Sequence, residues 1–192
     1  LVSQGEPVGA DDPIVLPGRA PALAALRDAI DAPAHCLVRG EAGIGKTALL
    51  RLAVLNVDAV VVRGVAALSS SSYAPLRAAV PRLELTGGAG CVAARLLAWL
   101  GTDKPFVVDD LHWCDTDTLE VLAELAYLRP YVGATRPDAG PALALVEQLV
   151  DAGTVINLAP LGAGGARRLA RHWRPLAPDV DVARAVDVAA GN

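Results

Sequence analysis

The sequence predicts an α/β fold. A parallel five-stranded sheet is flanked by helices and followed by the start of a helical subdomain. Three observations predict it. Short β-branched runs alternate with stretches of helical periodicity over residues 1–160. One run, His35–Gly40, passes through the octapeptide GEAGIGKT directly into helix-forming sequence. A later run, FVV, ends in two consecutive acids, Asp109 and Asp110.

The elements follow in order. Leu23, Leu26 and Ile30 recur at helical spacing within RAPALAALRDAI, which predicts the first helix. HCLVRG is a short apolar strand ending at Gly40, and KTALLRLAVL is the helix that leaves the Gly-rich stretch. VDAVVVRG, ending at Gly64, is a β-branched strand. SSSSYAPLRAAVPRL is expected to be a helix capped by its serines and interrupted at Pro81. TGGAG at 86–90 is a loop, and CVAARLLAWL an apolar helix. KPFVVDD is a strand whose continuous apolar run suits burial on both faces. A helix over TDTLEVLAELAYL, capped by Asp115, leads to the short strand YVGAT. PALALVEQLV is a helix and GTVINLAPL the fifth strand. From Gly162 the strands stop, and GARRLARHW and VDVARAVDVAA read as helices. The expected division is therefore an α/β core over 1–160 and the truncated start of a helical subdomain over 161–192.

Bulk properties narrow the function classes. A hydrophobic content of 53% against 20% charged residues is that of a globular chain. A net charge of −4 argues against holding duplex nucleic acid on this surface, so DNA contact is expected only through a domain absent from the fragment. Cys36, Cys91 and Cys114 are far apart without CxxC spacing, which speaks against a metal cluster or disulfide framework and fits a reducing compartment. No run of 18 apolar residues is present, and LVSQGEPVGADDP has neither the basic nor the apolar segment of a signal peptide. A cytoplasmic location and no membrane partner are expected. The chain starts without Met and stops at Gly191-Asn192, as a piece of a longer protein would.

GEAGIGKT fits the pattern GxxxxGK[ST] throughout. In such a loop the glycines let backbone N–H groups turn toward phosphates, the Lys reaches the β- and γ-phosphates, and the Thr hydroxyl holds Mg²⁺. The helix that follows adds the positive end of its dipole. The whole stretch with the next residue is expected to touch nucleotide: Gly40, Glu41, Ala42, Gly43, Ile44, Gly45, Lys46, Thr47 and Ala48. Positive charge in this chain is otherwise carried almost wholly by Arg, with 17 basic residues of which Lys46 and Lys104 are the lysines. A compact ammonium fits inside such a loop where a guanidinium fork is wider.

The strand-terminal Asp109 is placed to hold Mg²⁺ together with Thr47, because ligands of open parallel sheets lie at the carboxyl ends of the strands. Asp110 can orient the attacking water, or cap the following turn. Arg136, in GATRP after the next strand, lies at the same end, where a cation can sense a γ-phosphate or serve simply as a surface residue. His112 either hydrogen-bonds near the phosphates or fixes its loop, and Trp113 reads as packing.

LPGR (Leu16–Arg19), GEAGIGKT, YAPL (Tyr73–Leu76), VVDDLHWCD, GATRP, LAPL (Leu158–Leu161) and AAGN occur in that order. With this series the chain resembles the nucleotide-binding domain of STAND-class ATPases, and more narrowly that of the large ATP-binding regulators of the LuxR family. The resemblance implies an AAA-like P-loop NTPase core and a switch that binds ATP or ADP with Mg²⁺ and controls self-association or contact with other domains of the same protein. It implies that Gly18 and Arg19 lie near the adenine, that Gly40, Gly43, Gly45, Lys46 and Thr47 form the Walker A loop, and that Asp109 and Asp110 form the Walker B pair. Arg136 matches the family's arginine after the fourth strand. Arg19 is followed by Ala20 where relatives usually carry Glu, and Cys114 stands where Ala is usual. The second acid is the shorter Asp110, as in the family, so hydrolysis is expected to be slow.

Two alternatives remain open on sequence grounds. One is a nucleotide-binding scaffold without turnover. The other is a P-loop kinase, for which the basic stretch Arg167, Arg168, Arg171 and Arg174 would pass as a lid. That stretch reads equally as a solvated helix face.

Overall fold

The computed structural model describes residues 16–32, 34–102, 104–175 and 178–189. The N-terminal LVSQGEPVGADDP and the terminal Gly191-Asn192 lie outside them. The described residues form two compact units, one spanning Pro21–Ala159 and a smaller one joining Leu16–Ala20 to Pro160–Ala189.

In the larger unit, helix α1 (Ala20–Asp31) precedes β1 (His35–Gly40), α2 (Lys46–Ala53), β2 (Val60–Arg63) and α3 (Ala74–Ala79). Then come α4 (Ala89–Leu100), β3 (Phe106–Asp109), α5 (Thr116–Leu128), β4 (Val132–Thr135), α6 (Leu143–Ala152) and β5 (Gly153–Leu158). All pairings are parallel, and the strand order is β2-β3-β4-β1-β5. The fourth strand in sequence thus lies between the strand that feeds GEAGIGKT and the strand that ends in Asp109.

The two faces of the sheet are apolar because parallel strands are covered on both sides. Leu37, Val62, Phe106 and Val108 join Leu76, Val92, Leu96, Leu122 and Leu149 in one core. Cys36, Val38 and Val107 alternate with them onto the opposite face. Helix α2 packs against β1, β3 and β4, with Leu49 and Leu50 buried. Gly133 sits where a Cβ would press on Leu111 at 2.7 Å, so the central strand has no room for a side chain there.

The serines at 69–72 do not cap a helix: they lie in turns, and α3 starts only at Ala74. The N-terminal position is Tyr73, at φ 56°, and its N–H donates to Asp115 Oδ1 at 2.9 Å. A tertiary carboxylate has replaced the local hydroxyls. The helix stops at Ala79 because Pro81 disfavours helical geometry in the residue before it. Asp115 caps α5 as its position predicted, accepting from the Thr118 N–H at 2.9 Å.

In the smaller unit, α7 (Ala163–Trp173) and α8 (Asp179–Ala189) pack together, and Arg171 pairs with Asp179. No helix among the described residues is long and apolar enough to cross a membrane.

Candidate functional site

The loop after β1 turns on its glycines. Gly43 and Gly45 have φ of 76° and 101°, the left-handed region that side chains with a Cβ avoid. Gly40 is held to glycine by space, since a Cβ would meet Ile44 Cγ2 at 2.8 Å and Leu158 Cβ at 3.1 Å. The Ile44 side chain is buried and so anchors the loop from beneath, while Glu41, Ala42 and Gly43 are exposed. Lys46 begins α2 and is buried to 5% exposure. Its ammonium donates to the carbonyls of Gly40 at 2.8 Å and Glu41 at 2.9 Å, so the loop wraps its own lysine. Burial lowers the Lys46 pKa, opposed by the nearby Asp110 carboxylate.

Opposite the loop stands the end of β3. Asp109 is 1% exposed. Its Oδ2 accepts from the Thr47 hydroxyl at 2.8 Å and from Arg63 Nη2 at 2.9 Å. Its Oδ1 is buried and has no hydrogen-bond partner among the described residues. Asp110 follows in a left-handed conformation, φ 55° and ψ 48°, which Asp tolerates better than most residues. Burial first, and then the neighbouring Asp109, raises the Asp110 pKa above its ordinary value.

Ala42, Gly43, Gly45, Lys46, Thr47, Ala48, Arg51, Asp110 and Arg136 line one cleft of about 360 Å³. Arg136 follows β4, and strand order explains its presence: β4 lies between β1 and β3. Its guanidinium lies 5.5 Å from the centre of the Trp113 ring, a cation–π distance. Trp113 in turn lies 5.0 Å from the His112 ring. His112 is buried, and neither ring nitrogen has a hydrogen-bond partner among the described residues. Its Nε2 is 4.0 Å from Asp110 Oδ1, too far for a hydrogen bond. Burial lowers the His112 pKa.

The residues fit a hard divalent cation. Thr47 gives its proton to Asp109 and keeps its lone pairs, and Asp109 Oδ1 is a buried acceptor in need of a partner. Among the described residues no group of three or more His, Cys, Asp or Glu could hold a metal by itself. One carboxylate and one hydroxyl suit Mg²⁺ when phosphate oxygens and water supply the rest.

No protein-family model matches the chain, and no curated protein sequence is similar to it. Solved structures do match. The chain is similar to a signal transduction ATPase with numerous domains (STAND) carrying a tetratricopeptide repeat sensor, from Pyrococcus horikoshii. The TM-score is 0.59 at 21% identity, over 94% of this chain and 28% of that one. Cdc6p from Pyrobaculum aerophilum gives a TM-score of 0.59 at 17% identity, over 92% of this chain and 52% of that one. The chain thus spans about a quarter to a half of the length of these structures.

The fold is that of the P-loop NTPases. Within it, the structure brings Lys46, Thr47, Asp110 and Arg136 to one cleft at the carboxyl ends of the strands, with Asp109 reaching Thr47 from below. Gly40, Glu41 and Ile44 shape the P-loop without lining that cleft. Gly18, at φ 80°, and the buried Arg19 belong to the smaller unit, where the Arg19 N–H donates to the Leu16 carbonyl at 3.1 Å.

Three residues at the site carry no motif that sequence reading picked out. Arg51 lies one turn after Thr47 on α2 and lines the cleft. Arg63 bonds Asp109. Gly64 donates its N–H to the Asp109 carbonyl at 2.9 Å, and a Cβ on it would collide with the Asp110 carbonyl and stand 2.9 Å from Cys114 N. The signal for the last two was available in VVVRG, a strand ending level with FVVDD. Which strand neighbours β3 was not.

Proposed function

We propose that this chain is an ATP/ADP-binding switch domain that hydrolyses ATP slowly in the presence of Mg²⁺, and that it is one part of a larger, cytoplasmic bacterial transcriptional regulator related to the LuxR-family ATPases. The observation that carries the nucleotide reading is the convergence of Lys46, Thr47 and Asp110 on one cleft, with the Thr47 hydroxyl already bonded to Asp109. The regulator reading rests on the motif series from LPGR to AAGN, and the Pyrococcus horikoshii STAND protein is a neighbour consistent with it. Self-association, contact with other domains and DNA binding through a separate domain belong to the same proposal.

In this reading the P-loop N–H groups and Lys46 hold the β- and γ-phosphates. Lys46 exchanges its carbonyl partners, Gly40 and Glu41, for phosphate oxygens. Thr47 and Asp109 would hold Mg²⁺, which would supply neutralisation of phosphate charge. Asp110 accepts the proton of the water that attacks the γ-phosphorus as the bond to the β-phosphate oxygen breaks. Its raised pKa makes it a better base than an exposed Asp. Arg136 leans into the cleft as the group that registers the γ-phosphate.

The test is calorimetric titration with ATP and with ADP in Mg²⁺, beside Lys46→Ala. Wild-type binding, weakened by about 100-fold or more in the variant, supports the reading. Equal heats from both proteins, or none from wild type, would defeat it.

A further inference from the structure

Asp109 has a second cationic partner that the nucleotide reading does not use. Arg63 ends the edge strand β2 in register with Asp109 at the end of β3. In a parallel pair, registered residues share a face, so both side chains lie on the α2 side of the sheet. Arg63 does not line the phosphate cleft. It lines an adjoining cavity of about 390 Å³, walled by Leu50, Val54, Val61 and Val107, which shares Thr47 and Arg51 with the cleft, and it reaches Asp109 from there. The pair is unequal: the Arg63 side chain is 42% exposed and that of Asp109 only 2%. A half-exposed cation is set against a buried anion. Both donors, Thr47 and Arg63, share Oδ2, while Oδ1 has no hydrogen-bond partner among the described residues.

We propose that Arg63 is a resident counter-cation for Asp109: it stabilises the carboxylate when no divalent metal is bound and opposes the metal's arrival, so that it sets the Mg²⁺ affinity of the switch. The inference rests on the reading of Asp109 and Thr47 as the metal-holding pair. Two effects give it its sign. A unit positive charge beside the carboxylate repels a divalent ion at the same group. Removing it also leaves the metal-free domain with an unpaired buried carboxylate, a state that metal binding then relieves. Both make the metal bind more tightly once Arg63 loses its charge. Arg63 is accordingly a positioning residue that acts through Asp109.

The experiment compares wild type, Arg63→Gln and Arg63→Lys. Gln keeps an N–H donor without the charge, and Lys keeps the charge without the fork. Two readouts are taken: Mn²⁺ binding without nucleotide, followed by electron paramagnetic resonance, and the Mg²⁺ concentration that half-saturates binding of a fluorescent ADP analogue. Arg63→Gln should bind Mn²⁺ roughly five- to tenfold more tightly and need correspondingly less Mg²⁺, with the gap narrowing in high salt. Arg63→Lys should stay near wild type. Metal affinity in Arg63→Gln that is unchanged or weaker overturns the proposal. If wild type takes up no ADP analogue, the nucleotide reading fails, and the Mn²⁺ titration still decides the role of Arg63.

Discussion

The Thr47 hydroxyl donates to Asp109 Oδ2 at 2.8 Å although 62 positions separate the two residues. The bond joins the first turn of α2 to the end of β3 and passes beside β4, which lies between their strands. It presets the hydroxyl. With its proton committed to Asp109, the Thr47 oxygen presents only lone pairs to whatever enters the cleft. In the proposed reading such a ligand set would be arranged before an ion arrives, so little ordering would oppose binding.

Thr47→Val should therefore separate metal from nucleotide. Val has nearly the shape of Thr but lacks the hydroxyl, which leaves Asp109 with Arg63 alone on Oδ2. ADP affinity without Mg²⁺ should hold within about twofold, while the gain on adding Mg²⁺ falls by roughly tenfold, a loss of about 1.4 kcal/mol. Titrations with and without the metal read both numbers. Equal Mg²⁺ dependence in the two proteins would remove Thr47 from the metal site.

Asp110→Asn should abolish ATP turnover and keep ATP and ADP binding within about threefold. The variant should also melt higher than wild type at pH 7.5. Asp110 has a raised pKa because it is buried beside Asp109, so its charged form is disfavoured in the folded chain, and Asn removes that charge in a left-handed position it occupies readily. Phosphate release and a thermal melt measure the two effects. Turnover that survives in the variant would favour another base, and no turnover in wild type would favour the scaffold reading.

His112 makes stability depend on pH. Burial holds its folded pKa below the ordinary 6.5, and this outweighs the opposing pull of Asp110. As pH falls through 6.5 the unfolded chain takes up the proton and the folded chain does not. The stabilisation is thus fully present above 6.5 and lost as pH drops toward the lowered folded value. His112→Phe keeps a ring against Trp113 and removes two buried nitrogens that have no hydrogen-bond partner among the described residues. Urea unfolding at pH 7.5 and 5.5 should show wild type losing more stability on acidification than the variant. Identical losses would mean that the folded His112 takes up its proton as an exposed histidine does.

Arg136 reports through Trp113. Its guanidinium sits over the indole at 5.5 Å. A γ-phosphate that draws Arg136 away should change Trp113 fluorescence, and ADP should change it less. With Trp99 and Trp173 replaced by Phe, ATP and ADP titrations give the contrast directly. Arg136→Ala should erase the difference and weaken ATP by roughly tenfold with little change for ADP. An unchanged ATP preference in that variant would make Arg136 a surface residue.

Much of this fold is legible in the chain because it is written in local periodicity. Short apolar runs such as FVV and CLV read as strands, and both are buried strands, while the Gly-rich GEAGIGKT reads as a turn, with Gly43 and Gly45 in the left-handed region. Asp115 announced its helix for the same reason: a cap bonds within three residues. The serines before α3 misled, because capping propensity is weak and the distant Asp115 offered Tyr73 a charged acceptor instead.

By itself the sequence determined the alternation of strands and helices, the glycine-rich turn and the acids at a strand end, all of which depend on neighbours a few bonds away. The tertiary structure alone decided that β4 lies between β1 and β3, which brings Arg136 to the cleft, and that β2 lies beside β3, which brings Arg63 and Gly64 to Asp109 and Asp110. Strand order is set by how whole helices and strands bury their apolar faces together. No short stretch carries that information, so the partners of Asp109 could be read only from the assembled sheet.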